Sequence, residues 1–302
     1  MKSQHIVPHL WFDTQAEEAV DFYTSVFPQS KTNVKTFLED TPSGDTPSLS
    51  FTLMDYKFMA ISAGPYFTLN PSISFMLLFN SASDEAASEK LESTWNRLMA
   101  GGTALMPLDS YPFSSKYGWV QDKYGVTWQL ILSDPSGPEH VNVVPALMFV
   151  GKNHGKAEEA IEYYVSIFPD SEVGEIAQYP DDMPPHQKGT VMYGDFRLGQ
   201  QWFSAMDSAG EHDFNFNEAV SLMVQCRDQQ EIDYYWEELS AVPESEQCGW
   251  LKDRFGVSWQ IYPTVMEEMM ANGSREQINR VTEAFLKMKK FDIAALEEAY
   301  RG

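Results

Sequence analysis

The sequence is poor in cysteine, in basic residues and in long apolar runs. Of its 302 residues only Cys226 and Cys248 are cysteines. Two thiols make no disulfide framework and lack metal-ligand spacing, so both read as small buried thiols in a reducing compartment. Lysine and arginine number 21 against 44 aspartates and glutamates, a formal charge of −23. That field repels phosphate backbones and anionic bilayers, which argues against nucleic acid or a membrane as partner. Met1 and Lys2 are soon followed by His5, Pro8 and Asp13, with no apolar stretch long enough for a signal peptide or a membrane span. The expected location is the cytoplasm. No glycine-rich turn follows a strand and opens a helix with an acidic residue beyond, as a nucleotide-like cofactor would want. His154, His186 and His212 sit in polar loops and form no pattern.

What is present is a core-forming composition, 43% hydrophobic and 14% aromatic, in a chain long enough for about two domains. The stretch GWVQDKYGVTWQL at 118–130 returns as GWLKDRFGVSWQI at 249–261, with seven of thirteen positions identical. Likewise AEEAVDFYTSVFPQS at 16–30 returns as AEEAIEYYVSIFPDS at 157–171, with nine of fifteen identical. Matches this dense mean duplication. The first pair reads as strand, tight turn, strand, with Val126, Trp128 and Leu130 on one face and Thr127 and Gln129 on the other. The second reads as an amphipathic helix, stopped by Pro28 or Pro169.

In chain order, a strand at 6–12 leads to a helix for which Thr14 and Glu17 suggest a capping box. Strands are expected over 32–38, 48–54 and 58–62, completing one βαβββ unit. A second unit has a strand at 73–79, a helix over about 84–100 ending at Gly101 and Gly102, and a last strand at 126–132. The segment 133–139, with two prolines and a glycine, reads as a linker. The second half repeats the order: strands at 143–150, 174–178, 189–194, 197–203 and 219–226, a helix at 229–239 that keeps Trp95 and Leu98 as Trp236 and Leu239, and a strand at 257–262. Beyond Pro263 a helical tail without counterpart is expected, broken at Asn272 and Gly273, with a capping box at Ser274 and Gln277 and a last helix capped by Asp292. Its amphipathic helices need a surface to bury against, and the chain itself is the plainer choice over a partner.

Paired βαβββ units, with Ala-Glu-Glu-Ala-x-x-Phe/Tyr-Tyr after strand one and Gly-Val-x-Trp-Gln on the last strand, resemble the vicinal oxygen chelate superfamily. More narrowly they resemble its PhnB-like branch, which carries a 3-demethylubiquinone 3-methyltransferase label. The resemblance covers about residues 7–261. It implies an α+β fold of two tandem barrels and four βαβββ modules, divided as domains at 1–135 and 140–264 with a tail at 265–302, each half curling its two units into a barrel around a cavity. It also implies an intrachain pseudo-dimer, as a monomer or homodimer.

Such cavities normally hold a divalent metal through four inward His, Glu or Gln side chains, which polarise two vicinal oxygens of a substrate. This sequence departs from that pattern. The match places Gln129 and Gln260 where a glutamate usually stands, and the first strands offer Val7 or His9 in one half, Val144 or Ala146 in the other. The remaining strands offer Ala60 or Ser62 with Ser72 or Ser74, and Trp202 or Ser204 with Ala219 or Ser221. No complete ligand set results, so no metal and no cofactor are expected. The residues proposed to contact a ligand are His9, Ser62, Ser74, Trp128, Gln129, Ser221 and Gln260, with the first half's pocket better furnished. For His9 the plainer reading is a hydrogen-bonded core histidine, for Trp119 and Trp250 aromatic core, and for Asn70 and Asn217 turn-closing side-chain bonds. Three functions stand open: a metal-free binder of a small molecule, a metal-dependent lyase, isomerase or dioxygenase of the superfamily, and, least supported, a methyltransferase. Whether the chain is an enzyme is left open.

Overall fold

The computed structural model describes residues 4–133 and 142–302. The linker expected at 133–139 lies, beyond Ser133, outside them. Unit one comprises β1 (Ile6–Phe12), α1 (Ala16–Val26), β2 (Lys31–Thr41), β3 (Gly44–Leu53) and β4 (Tyr56–Ser62). Unit two comprises β5 (Ile73–Asn80), α2 (Ala87–Leu98), β6 (Thr103–Tyr111), β7 (Ser114–Gln121) and β8 (Thr127–Ser133). Unit three comprises β9 (Val143–Phe149), α3 (Ala157–Ile167), β10 (Glu172–Gln178), β11 (Val191–Leu198) and β12 (Gln201–Asp207). Unit four comprises β13 (Val220–Cys226), α4 (Gln229–Leu239), β14 (Trp250–Lys252) and β15 (Ser258–Pro263), and the tail adds α5 (Thr264–Asn272), α6 (Arg275–Phe285) and α7 (Ile293–Arg301). Among the described residues no helix is long and apolar enough to cross a membrane.

The units do not pair half by half. One sheet runs β14-β15-β13-β1-β4-β3-β2 and the other β10-β11-β12-β9-β5-β8-β7-β6. Unit one therefore shares a sheet with unit four, and unit two with unit three, through the antiparallel pairs β1 with β13 and β5 with β9. This corrects the expectation that each half curls its own two units into a barrel. The physical reason lies at the edges. The first strand of each unit is an edge with unpaired backbone groups, and it is completed by the first strand of a unit from the other half.

The halves nevertheless cohere on the helix side of the sheets. Helix α1 packs on β3 and β4 of its own sheet, and its Tyr23 and Phe27 meet Trp128 of the other sheet with ring centroids 5.2 and 4.8 Å apart. In the second half Tyr164 and Phe168 reach Trp259 in the same way, at 5.4 and 5.6 Å. The repeated motif supports these contacts. Asp122 accepts the backbone N–H groups of Tyr124 and Val126 and the indole N–H of Trp128. Asp253 does the same for Phe255, Val257 and Trp259, and also takes the Tyr164 hydroxyl at 2.7 Å. A buried carboxylate thus ties the turn to the strand that follows it. Asn70 and Asn217 close turns onto Ser72 and Ala219, and each also donates across to the other half, Asn70 to Asn215 and Asn217 to Thr68.

Three local expectations need correction. Thr14 forms no capping box: α1 starts after Gln15 without a side-chain cap of its own, and the Ser62 hydroxyl at the end of β4 accepts the Ala16 N–H at 3.0 Å. The strand expected at 197–203 spans a hairpin turn, with β11 ending at Leu198 and β12 starting at Gln201. The fourth unit has no counterpart of β6. Trp95 and Trp236 are 141 positions apart but Gln129 and Gln260 only 131, so the second copy is ten residues shorter between its helix and its last strand. The tail occupies this side of the sheet. It packs on its own chain, with the Ser274 and Gln277 capping box and the Asp292 cap both formed. Lys57 pairs with Glu267 at 2.6 Å, and Glu39 takes Arg275 and Asn279.

Candidate functional site

The tail roofs a cavity of about 630 Å³ on the face of the first sheet turned away from its helices. Its walls come from alternate residues of adjacent strands: His9 and Trp11 of β1, Met59 and Ile61 of β4, Met223 of β13, Gln260 and Tyr262 of β15, and Trp250 of β14. Strand register sets this row, since His9 lies opposite Met59 on one side and Ser221 on the other, while Gln260 lies between Met223 and Trp250. Met266, Met270, Phe285 and Phe291 close it from the tail. Gly249 brings the tail close. It sits at φ +82°, and a Cβ there would come within 2.4 Å of the Phe291 ring. Backbone bonds from Cys248 N–H to Met288 and from Gly249 N–H to Lys289, at 2.9 and 2.7 Å, fix the junction.

The polar atoms of this largely apolar cavity are incompletely satisfied. His9 is 3% exposed and its Nδ1 has no hydrogen-bond partner, and neither has the indole Nε1 of Trp250. The two rings meet edge to face at 5.6 Å. Burial lowers the His9 pKa to about 3, which keeps the imidazole neutral at physiological pH. Gln260 donates Nε2–H to Ser221 Oγ at 2.7 Å, and among the described residues no group donates to its Oε1. At the rim Glu218 is paired with Lys252 at 2.8 Å. A buried polar atom without a partner is uncommon, and here His9, Trp250 and Gln260, residues that line one space, each carry one.

The other residues proposed from sequence lie elsewhere. Gln129 occupies the equivalent place on the second sheet, donating to Ser74 Oγ at 2.7 Å and accepting the Tyr117 hydroxyl at 2.8 Å, so its amide is bonded at both ends. Trp128 is fully buried on the helix side. Ser62 is engaged at the start of α1, and the cavity face of β4 is Met59 and Ile61, one position out of phase with Ala60 and Ser62. Ser221 braces Gln260. Thus His9 and Gln260, from the first and last units, share one cavity, while Ser74 and Gln129 belong to the other sheet. Trp250, read from sequence as core, lines the cavity. The tail residues had no signal in the duplication, because the tail has no repeat partner, and Met59 and Met223 sit in nearly uniform apolar strands that mark no face.

The divalent metal implied by the resemblance does not fit these side chains. The inward row across β1, β4, β13 and β15 supplies one imidazole and one neutral amide, beside Met59, Ile61 and Met223. That is no set of hard or borderline donors. Among the described residues no three His, Cys, Asp or Glu side chains are grouped to hold a metal ion.

The family described as 3-demethylubiquinone-9 3-methyltransferase matches residues 4–131 and 141–262. A PhnB protein from Bacillus cereus is 37% identical over 43% of this chain and all of its own, with a TM-score of 0.39. Glyoxalase I from Zea mays is 10% identical, with a TM-score of 0.55 over 89% of this chain and 98% of its own. A Bacillus subtilis protein proposed to be a dioxygenase is also 10% identical, with a TM-score of 0.51 over 90% of this chain and 91% of its own. Those two likenesses show the fold. No curated protein sequence matches the chain. By its two matched regions the chain belongs to the 3-demethylubiquinone-9 3-methyltransferase family, which is PhnB-like, in a tandem arrangement with a glyoxalase-like fold.

Proposed function

We propose that the roofed cavity of the first sheet binds a largely apolar small molecule without a metal. The observation that carries this reading is an apolar space of about 630 Å³ lined in part by His9, Trp250 and Gln260, three residues whose polar atoms are not all hydrogen-bonded. A ligand with one polar group would meet the few polar side chains of that lining, and the aromatic and methionine walls suit a flat or flexible apolar body. The superfamily's metal-dependent chemistry is the weaker reading, because its donor set does not fit the residues present. Titration with an apolar dye whose fluorescence rises on burial tests the proposal. One equivalent should bind per chain, Ile61→Trp should block it by filling the cavity, and Met206→Trp at the matching place on the second sheet should leave it intact. Unchanged binding in Ile61→Trp would sink the assignment.

A further inference from the structure

The second sheet carries its own picture of what the cavity lacks. Trp119 faces Gln129 across β7 and β8, and Trp250 faces Gln260 across β14 and β15, so the two registers correspond. Two positions before each tryptophan stand Tyr117 and Cys248. Tyr117 donates its hydroxyl to Gln129 Oε1 at 2.8 Å while its ring packs edge-on against Phe113 and Tyr111. On the first sheet the strand begins only at Trp250, and Cys248, at φ +50°, turns the backbone away. Among the described residues no side chain donates to Gln260 Oε1 as Tyr117 does to Gln129, and Gln260 lines the cavity. Trp250, Phe285 and Phe291 are among the aromatic walls of that cavity. Among the described residues no Lys or Arg lines this cavity and Glu218 and Glu244 do, which disfavours an anion.

We propose that the ligand supplies what Tyr117 supplies in the other sheet: a neutral hydroxyaryl ring whose O–H donates to Gln260 Oε1. This rests on the reading of the cavity as a binding site and names its ligand class. A fused aromatic ring in three forms, 2-naphthol, 2-methoxynaphthalene and naphthalene, separates the contributions when titrated calorimetrically into the whole chain. 2-Naphthol should bind about tenfold more tightly than its methyl ether, the scale of one buried hydrogen bond with an unpaired acceptor left behind. Gln260→Leu should remove that preference while keeping naphthalene affinity, and Gln260→Glu, which retains an acceptor oxygen, should keep it. Gln129→Leu should change none of the three. If all three rings bind equally, or the preference survives Gln260→Leu, the inference fails and the cavity reading stands. If no ring binds and the apolar dye also fails to enter, both fail together.

Discussion

The carboxylate of Asp253 accepts the indole N–H of Trp259 at 2.9 Å, six residues ahead in the chain, and Asp122 does the same for Trp128 at 2.8 Å. This bond explains why aspartate and tryptophan recur together in both copies of the motif. Asp253 is fully buried and burial pushes its carboxyl pKa up, yet four donors converge on it. Asp253→Asn keeps the shape but turns an NH₂ toward one set of those donors. The substitution should destabilise the protein by roughly 2–4 kcal/mol, read as a lower urea midpoint with an unchanged slope. An unchanged midpoint would show that the network contributes little.

The neutral state of His9 has a consequence for acid stability. Its folded pKa is about 3 against an ordinary value of 6.5. Between those values the unfolded chain binds a proton that the folded chain does not. Stability attributable to His9 is therefore whole above about pH 6.5 and falls as pH drops toward 3, by about 1.4 kcal/mol per pH unit. His9→Gln removes this term while Glu218 and Glu244, which also line the cavity, remain. Denaturation at pH 7.5, 6 and 5 should show wild type losing stability relative to the variant as pH falls. Parallel curves would mean that His9 protonates freely in the fold.

Much of the architecture is legible in the sequence, for local reasons. Helix caps such as Ser274 with Gln277 need only near neighbours, and the duplication marks the units. The pairing of units is not legible. IVPHLWF, ISFMLLF, VVPALMF and VSLMVQC are all nearly uniform apolar strands, so any two could complete each other's edges. That is why His9 appears from sequence to belong with Gln129 when it shares a cavity with Gln260. The inward face of β4 is hidden for a similar reason. YKFMAIS has no polar alternation to mark a face, and Ser62 attracts attention although it serves the start of α1. The alternation of GVSWQI does separate Trp259 from Gln260, and the structure places Trp259 on the helix side and Gln260 on the cavity.

Gly249 is the contact on which the roof depends. A side chain there meets the Phe291 ring at 2.4 Å and must also adopt φ +82°. Gly249→Ala should cost about 2 kcal/mol or more, combining left-handed backbone strain with the displaced ring. The displacement should also free the tail. Limited proteolysis is expected to cut within 264–302 faster in the variant than in wild type. Equal rates would indicate that Phe291 is not what holds the roof down.

Gln129 and Gln260 should respond differently to the same substitution. Each donates to a serine hydroxyl at 2.7 Å, Ser74 or Ser221. Only Gln129 also accepts a protein hydroxyl, that of the buried Tyr117. Leucine at 129 leaves two buried hydroxyl groups unpaired, whereas leucine at 260 leaves one and removes an amide oxygen that had no protein donor. A buried group stripped of its partner costs about 1–3 kcal/mol. Gln129→Leu should therefore destabilise the ligand-free protein by roughly 2–4 kcal/mol and Gln260→Leu by about 1–2 kcal/mol, compared by denaturant midpoints under one buffer. Tyr117→Phe removes only one of the two bonds of Gln129 and should therefore show about half of the larger loss. If Gln260→Leu proved the more damaging change without ligand, its amide would be a structural brace like that of Gln129, and the open end of the cavity amide would need another explanation.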